Sequence, residues 1–205
     1  MDKNDELVMG VPTKRLFGKD FYFSGFALPS VLTDRIKGNI YRYADFRKRG
    51  ECETDPAFKQ IIPYCIITKG DQVFVYRRKS AGGEKRLHSK SSIGVGGHAN
   101  PVNEVCPICM TIDQNMIREL KEELHFSCNI IDIKRQFIGM INWDEDDVGK
   151  VHFGLVYRFH FPEGTIIQVR EKDQLIGGLY PTTGIKAVSE NWETWSELVL
   201  DGYSF

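Results

Sequence analysis

Long apolar runs are missing from this 205-residue chain: no stretch approaches the roughly 20 residues that a membrane helix needs. The opening Met1-Asp2-Lys3-Asn4-Asp5-Glu6 has no apolar core of the kind a secretory signal carries, so the expected compartment is the cytoplasm. An excess of one charge is missing too. Lys and Arg number 27 against 28 Asp and Glu, a formal net charge of −1, and the basic residues are scattered, which argues against a partner such as polymeric nucleic acid. Cysteine is sparse and odd in number, five in all at Cys52, Cys65, Cys106, Cys109 and Cys128. That pattern fits a reducing compartment and not a disulfide scaffold. What is there is a chain long enough to bury one sizeable core, with no compositional sign of two equal halves. One domain with an extension is the expectation.

The densest chemistry lies between Thr111 and Phe126, around Arg118-Glu119-Leu120-Lys121-Glu122-Glu123. Ile112, Met116, Ile117, Leu120 and Leu124 recur at helical intervals, and Thr111 followed by Gln114 reads as a capping box, so the pattern predicts a helix beginning at Thr111. Glu119, Glu122 and Glu123 then leave that helix on one side, next to the apolar stripe. Three carboxylates so placed repel one another unless a divalent cation neutralises them, and hard oxygen donors suit Mg²⁺ or Mn²⁺. A solvated acidic face has the same spacing, so spacing alone does not choose between the two.

Around this helix the chain alternates strand-like and loop-like stretches. Glu6 to Val11 and Phe21 to Phe26 are short apolar runs broken by glycine and proline. Ser30 to Glu53 is charged and aromatic without a periodic stripe, which suits packing with snorkelling cations. Ile61 to Ile67 reads as a buried strand ending at Lys69-Gly70-Asp71, and Gln72 to Tyr76 returns as the second arm of a hairpin. Arg77, Arg78 and Lys79 follow, then a Gly-rich loop with Lys85, Arg86, His88 and Lys90. Cations at a hairpin end can hold phosphates or simply be solvated. Ser91 to His98 carries glycines at 94, 96 and 97, which would let another backbone or a ligand come close. Cys106 and Cys109 have the spacing of half a zinc site or a redox pair, but no second pair appears. Ile130 to Asn142 and Val151 to Phe161 read as long strands joined by the acidic turn Asp144-Glu145-Asp146-Asp147, a solvated loop or a cation site. Leu175 to Tyr180 is strand-like, and Asn191 to Leu200 shows a helical stripe of Trp192, Trp195, Leu198 and Val199 that should close the core.

The run from Gly97 to Arg118-Glu119-Leu120-Lys121-Glu122-Glu123-Leu124-His125-Phe126 resembles the Nudix box, G-x(5)-E-x(7)-R-E-U-x-E-E-x-G-U with U bulky and apolar. The second half matches at Arg118, Glu119, Leu120, Glu122, Glu123 and Phe126. Gly97 to Arg118 is seven residues longer than the pattern, and the insertion contains Cys106 and Cys109. Glu104 is the nearest counterpart of the first glutamate, one place late, and His125 stands where the family has glycine. The resemblance implies an α/β fold, a Nudix-like α/β/α sandwich with a mixed β-sheet, over residues 59 to 205, with residues 1 to 58 as an N-terminal extension packed on it. The layout is similar to that of bacterial Nudix proteins described as predicted phosphoesterases.

What the resemblance implies for chemistry is hydrolysis of a diphosphate joined to another moiety, X, by water attack on phosphorus. Glu119, Glu122 and Glu123 would be the catalytic and metal-binding acids for Mg²⁺ or Mn²⁺, with the Gly97 carbonyl as a further ligand. Arg118 would be structural, pairing with an acid that orients the cluster. Arg77, Arg78 and His98 are the candidate substrate contacts. Glu119 or Glu122 is the candidate general base, with Glu190 and Glu193 outside the motif. The expected partner is a small-molecule diphosphate, with no membrane and with a homodimer formed through part of residues 1 to 58. Three rivals stand beside this reading, one of them a zinc-held interaction protein built on Cys106 and Cys109. Gly96-Gly97-His98 resembles the Cys-Gly-His segment of isopentenyl diphosphate isomerases, but glycine replaces the acid/base cysteine. A noncatalytic nucleotide-binding module is the third, and intact glutamates argue against it.

Overall fold

The computed structural model describes residues 2–78, 90–102, 106–170 and 175–205. In chain order, β1 is Leu7–Pro12, α1 Thr13–Phe17, β2 Gly25–Ala27, α2 Val31–Tyr43, β3 Asp45–Lys48, α3 Arg49–Cys52 and β4 Phe58–Lys69. There follow β5 Gln72–Arg78, β6 Ser91–Ser92, β7 Gly94–Gly96, α4 Ile108–Glu123 and β8 Leu124–Phe126. The last elements are β9 Lys134–Asn142, α5 Asp147–Val151, β10 His152–Phe161, β11 Ile167–Val169, β12 Leu175–Pro181 and α6 Thr194–Gly202. The chain folds as two compact units, one of Met1–Tyr64, Gly96–Met116 and Phe137–Val156, the other of Cys65–Val95, Ile117–Gln136 and Tyr157–Phe205.

In the first unit β1 runs antiparallel to β3, with Leu7 opposite Lys48, and to β4, with Gly10 opposite Gln60. Glycine is required at position 10, because a Cβ there would strike the Phe58 ring and the Lys59 carbonyl. The stretch from Ser30, where the sequence shows no stripe, contains the α2 helix. Its start is a reciprocal cap in which Ser30 N–H donates to Thr33 Oγ1 at 2.8 Å and Thr33 N–H to Ser30 Oγ at 3.5 Å. Only Thr33, Ile36 and Ile40 are buried, so the apolar face is narrow and one of its three members is polar. That is why the 3.6-residue signal is weak. β2 pairs with β9 at Gly25 opposite Asn142, and it covers only the end of the predicted Phe21 to Phe26 strand.

The acidic turn is internally satisfied. Lys59, in β4, is 1 % exposed and pairs with Asp144 while donating to the Gly149 carbonyl at 2.7 Å. Burial pushes the Lys59 pKa down, with the Asp144 carboxylate opposing that shift. Asp146 caps α5 by accepting Gly149 N–H at 2.7 Å, and Asp147 takes Lys150 at 2.9 Å. Gly149 admits no side chain, since a Cβ would lie inside contact distance of the Trp143 carbonyl.

In the second unit Thr68 faces Val73 and Lys69 faces Gln72 across the predicted hairpin, whose turn uses Gly70 at φ 56°. β12 extends the sheet from β5, with Leu175 opposite Arg78 and Pro181 opposite Gln72. The closing helix begins at Thr194, later than its apolar stripe, and Ser196 Oγ accepts Ile93 N–H at 3.1 Å. Two predicted starts shift. The strand expected from Ile130 begins at Lys134, because Asn129 caps a short 3₁₀ turn over Ile130–Asp132. The helix expected from Thr111 begins at Ile108: the Thr111 hydroxyl donates to the Pro107 carbonyl at 3.3 Å, four residues back, so Thr111 lies inside the first turns instead of capping them.

Candidate active site

α4 carries the acids, and its own sequence explains how it is held. Ile112, Met116, Leu120 and Leu124 are each 2 % exposed or less, the stripe that periodicity predicts. Within the first unit, buried Asn115 donates Nδ2 to the Asn100 carbonyl at 2.8 Å and accepts Asn100 N–H at 3.0 Å, tying the loop after β7 to the helix. Asn100 in turn donates to Glu6 and to the Leu7 carbonyl.

In the second unit Arg118 spans two of the acids, with Nη2 2.7 Å from Glu119 Oε1 and Nη1 3.1 Å from Glu122 Oε2. The Glu119 side chain is 13 % exposed and that of Glu122 56 %, so one carboxylate is walled in and the next faces solvent. Glu123 is half-buried, with Oε2 shielded from water. Glu122 and Glu123 occupy the last turn, where the helix dipole adds partial negative charge. Three acids against Arg118 and Lys121 leave one net negative charge at the end of the helix. This donor set fits a hard divalent cation.

The helix terminus answers the question posed by His125. α4 passes directly into β8, which pairs antiparallel with β11: Leu124 faces Val169, His125 faces Gln168 and Phe126 faces Ile167. Arg170 N–H donates to the Glu123 carbonyl at 2.9 Å and Arg170 Nε to the Leu124 carbonyl at 3.0 Å. A left-handed glycine is one way to satisfy terminal carbonyls; here a strand pairing and an arginine do so, and His125 sits in extended backbone.

The other predicted residues are carried by other elements. Arg77 is exposed on β5, opposite Ser91; Arg78 is in the same strand, and its side chain lies outside the described residues, as do Glu104, Lys85, Arg86 and His88. Gly96 is packed by structure, since a Cβ would come within 3.1 Å of the Tyr64 ring and 3.3 Å of the Pro63 carbonyl. Gly97 and His98 follow it in the first unit, where His98 turns towards Glu53 and His152. Glu190 is exposed and Glu193 precedes α6. Cys106 and Cys109 are free thiols, Cys109 exposed in the first turn of α4. Among the described residues no helix is long and apolar enough to cross a membrane.

Comparison with known proteins places this acidic helix in a class. No family profile matches the chain. Over 96 % of its length, and 97 % of the other's, it superposes on the crystal structure of Tm1382, which is assigned to the Nudix hydrolases, with a TM-score of 0.77 and 26 % identity. The bifunctional NMN adenylyltransferase/ADP ribose pyrophosphatase of Francisella tularensis, at 15 % identity and TM-score 0.50 over 70 % of this chain and 40 % of that one, shares the fold. The chain belongs to the Nudix hydrolase superfamily, and the α/β fold with a large mixed sheet is the one expected of it. Among curated proteins it is similar to Protein YmaB of Bacillus subtilis (strain 168), with 36 % identity over 207 residues that cover 98 % of each chain.

Proposed function

We propose that the chain is a metal-dependent hydrolase of a small-molecule diphosphate, splitting a nucleoside diphosphate linked to another moiety by water attack on phosphorus. The observation that carries this is the α4 cluster, where Arg118 holds Glu119 and Glu122, with Glu123 in the same last turn. Glu119, Glu122 and Glu123 would hold Mg²⁺ or Mn²⁺. When bound, such a cation neutralises phosphate charge and acidifies water. The chain's own part is positional. Arg118 fixes the two carboxylates it touches, the half-buried Glu119 gives the cluster a rigid member, and the solvent-facing Glu122 is the acid best placed to accept a proton from water.

The test is a phosphate- and nucleotide-release screen over diphosphate compounds with Mg²⁺ or Mn²⁺, with Glu122→Gln alongside. Metal-dependent turnover that falls at least about 100-fold in Glu122→Gln supports the reading, a loss of about 2.7 kcal/mol in transition-state stabilisation. Binding of one compound without turnover of any would replace it with a nucleotide-binding module.

A further inference from the structure

Three residues remote in sequence meet in the first unit. Glu53 ends α3, His98 lies two residues beyond β7, and His152 opens β10. His98 Nε2 is 3.3 Å from His152 Nε2 and 4.0 Å from Glu53 Oε1, and one ligand atom from each of the three lies within 4.8 Å of the others. The two rings are tilted at 66° in a T-shaped arrangement, without stacking. His152 is 8 % exposed and the His98 side chain 13 %, which makes this a walled site and not a surface coincidence.

We propose that Glu53, His98 and His152 bind a zinc-class divalent cation, through a donor set different from that of the α4 glutamates. The tautomer supports this. His152 Nδ1 lies 2.7 Å from the Val148 carbonyl, which can only accept, so Nδ1 carries the proton and the lone pair of the neutral ring is on Nε2, facing the other two residues. A carbonyl on the far nitrogen is the outer partner that metal-bound histidines use to fix ring orientation. Glu53 is steadied by Arg49, whose Nε donates at 3.0 Å to Oε1, the oxygen that also lies nearest His98. Arg49 is itself braced by Glu6 at 3.4 Å.

Distance and donor type select the ion. Four ligands at about 2.0–2.1 Å around a tetrahedral centre stand about 3.3–3.4 Å apart, the separation of the two imidazole nitrogens. Glu53 Oε1, 4.0 Å from His98 Nε2 on a side chain 35 % exposed, has to draw closer by a side-chain rotation to join them. Two imidazoles and a carboxylate favour zinc, cobalt or nickel over magnesium. Three protein ligands also leave one position open, the pattern of a site that holds water or a ligand group. The competing account is a bare hydrogen bond from His98 Nε2–H to His152 Nε2.

The experiment is titration of the chelator-stripped full chain with Co²⁺ and with Zn²⁺ in excess Mg²⁺, followed by visible absorption and calorimetry. One Co²⁺ per chain with the intense ligand-field bands of four-coordinate cobalt, displaced by Zn²⁺, is the expected result. Affinity should fall by about 100-fold or more in His98→Gln and in His152→Gln, beyond the cost of losing an outer partner, and should be unchanged in Glu119→Gln. Circular dichroism melts verify that each variant folds, and wild-type imidazole ¹⁵N shifts read the same site without mutation: Zn²⁺ must move the Nε2 signals of both histidines. Weak, six-coordinate cobalt spectra indifferent to both histidine variants, or imidazole signals that no metal moves, would overturn the site in favour of the hydrogen bond.

Discussion

Asn115 and Asn100 hold each other by both ends of one amide: the Asn115 side chain donates a hydrogen bond to the Asn100 carbonyl and accepts one from its N–H. Asn115 is 2 % exposed and also donates to Thr111, so Asn115→Leu strands a donor and an acceptor of Asn100 where a shape-matched side chain cannot help. The expected loss is about 2–3 kcal/mol in chemical denaturation. A loss under about 0.5 kcal/mol would mean that water replaces the amide.

His125 gives a prediction that runs against the motif. Restoring the family's glycine should not help, because position 125 is extended and paired with Gln168. His125→Gly is expected to destabilise by about 0.5–1 kcal/mol through added unfolded-state entropy. Arg170→Ala should cost about 1 kcal/mol by freeing the Leu124 carbonyl. A stabilised His125→Gly protein in urea unfolding would show that the turn is strained after all.

Lys59 makes stability pH-dependent in a defined direction. Its folded pKa is depressed by burial, so in the window between that value and its ordinary 10.5 the unfolded chain binds the extra proton, and stability contributed by this group rises with pH. Below the window the buried charge is a constant penalty, relieved only by Asp144 and the Gly149 carbonyl. The difference in unfolding free energy between wild type and Lys59→Met should therefore change in favour of wild type as pH rises towards 10.5. Parallel pH profiles for the two proteins would refute this.

Arg118 holds the same oxygens that the proposed cation would take. Arg118→Gln frees Glu119 and Glu122 of the cation that pairs with them, so Mn²⁺ affinity, read by electron paramagnetic resonance, is expected to stay equal or rise. Turnover on whichever diphosphate the screen identifies should fall by about tenfold or more, because Glu119 and Glu122 lose their common anchor. A parallel fall in Mn²⁺ affinity would give Arg118 a role in building the metal site itself.

How far the sequence reached depends on the range of the interactions. The α4 stripe, the hairpin at Gly70 and the strand at His152–Phe161 follow from local periodicity and turn chemistry, and they are where periodicity puts them. α2 was hidden because its buried face is only Thr33, Ile36 and Ile40. The α4 start was misread because Thr111 has the same sequence signature whether it caps a helix or bonds back to Pro107. Glu53 and His152 carried no signal at all. Their spacing from His98 is set by tertiary packing, and with five histidines in the chain none stands out before the backbone is folded.

Most helices fray at the end that carries no further structure, and a residue in a fraying turn samples many directions. α4 ends by becoming a paired strand, clamped again by Arg170. Its final amides should accordingly exchange with deuterium as slowly as those in its middle. Glu119, Glu122 and Glu123 therefore stand on backbone that is already ordered, so an incoming ligand meets them with the entropy of fixing that backbone spent during folding and not during binding.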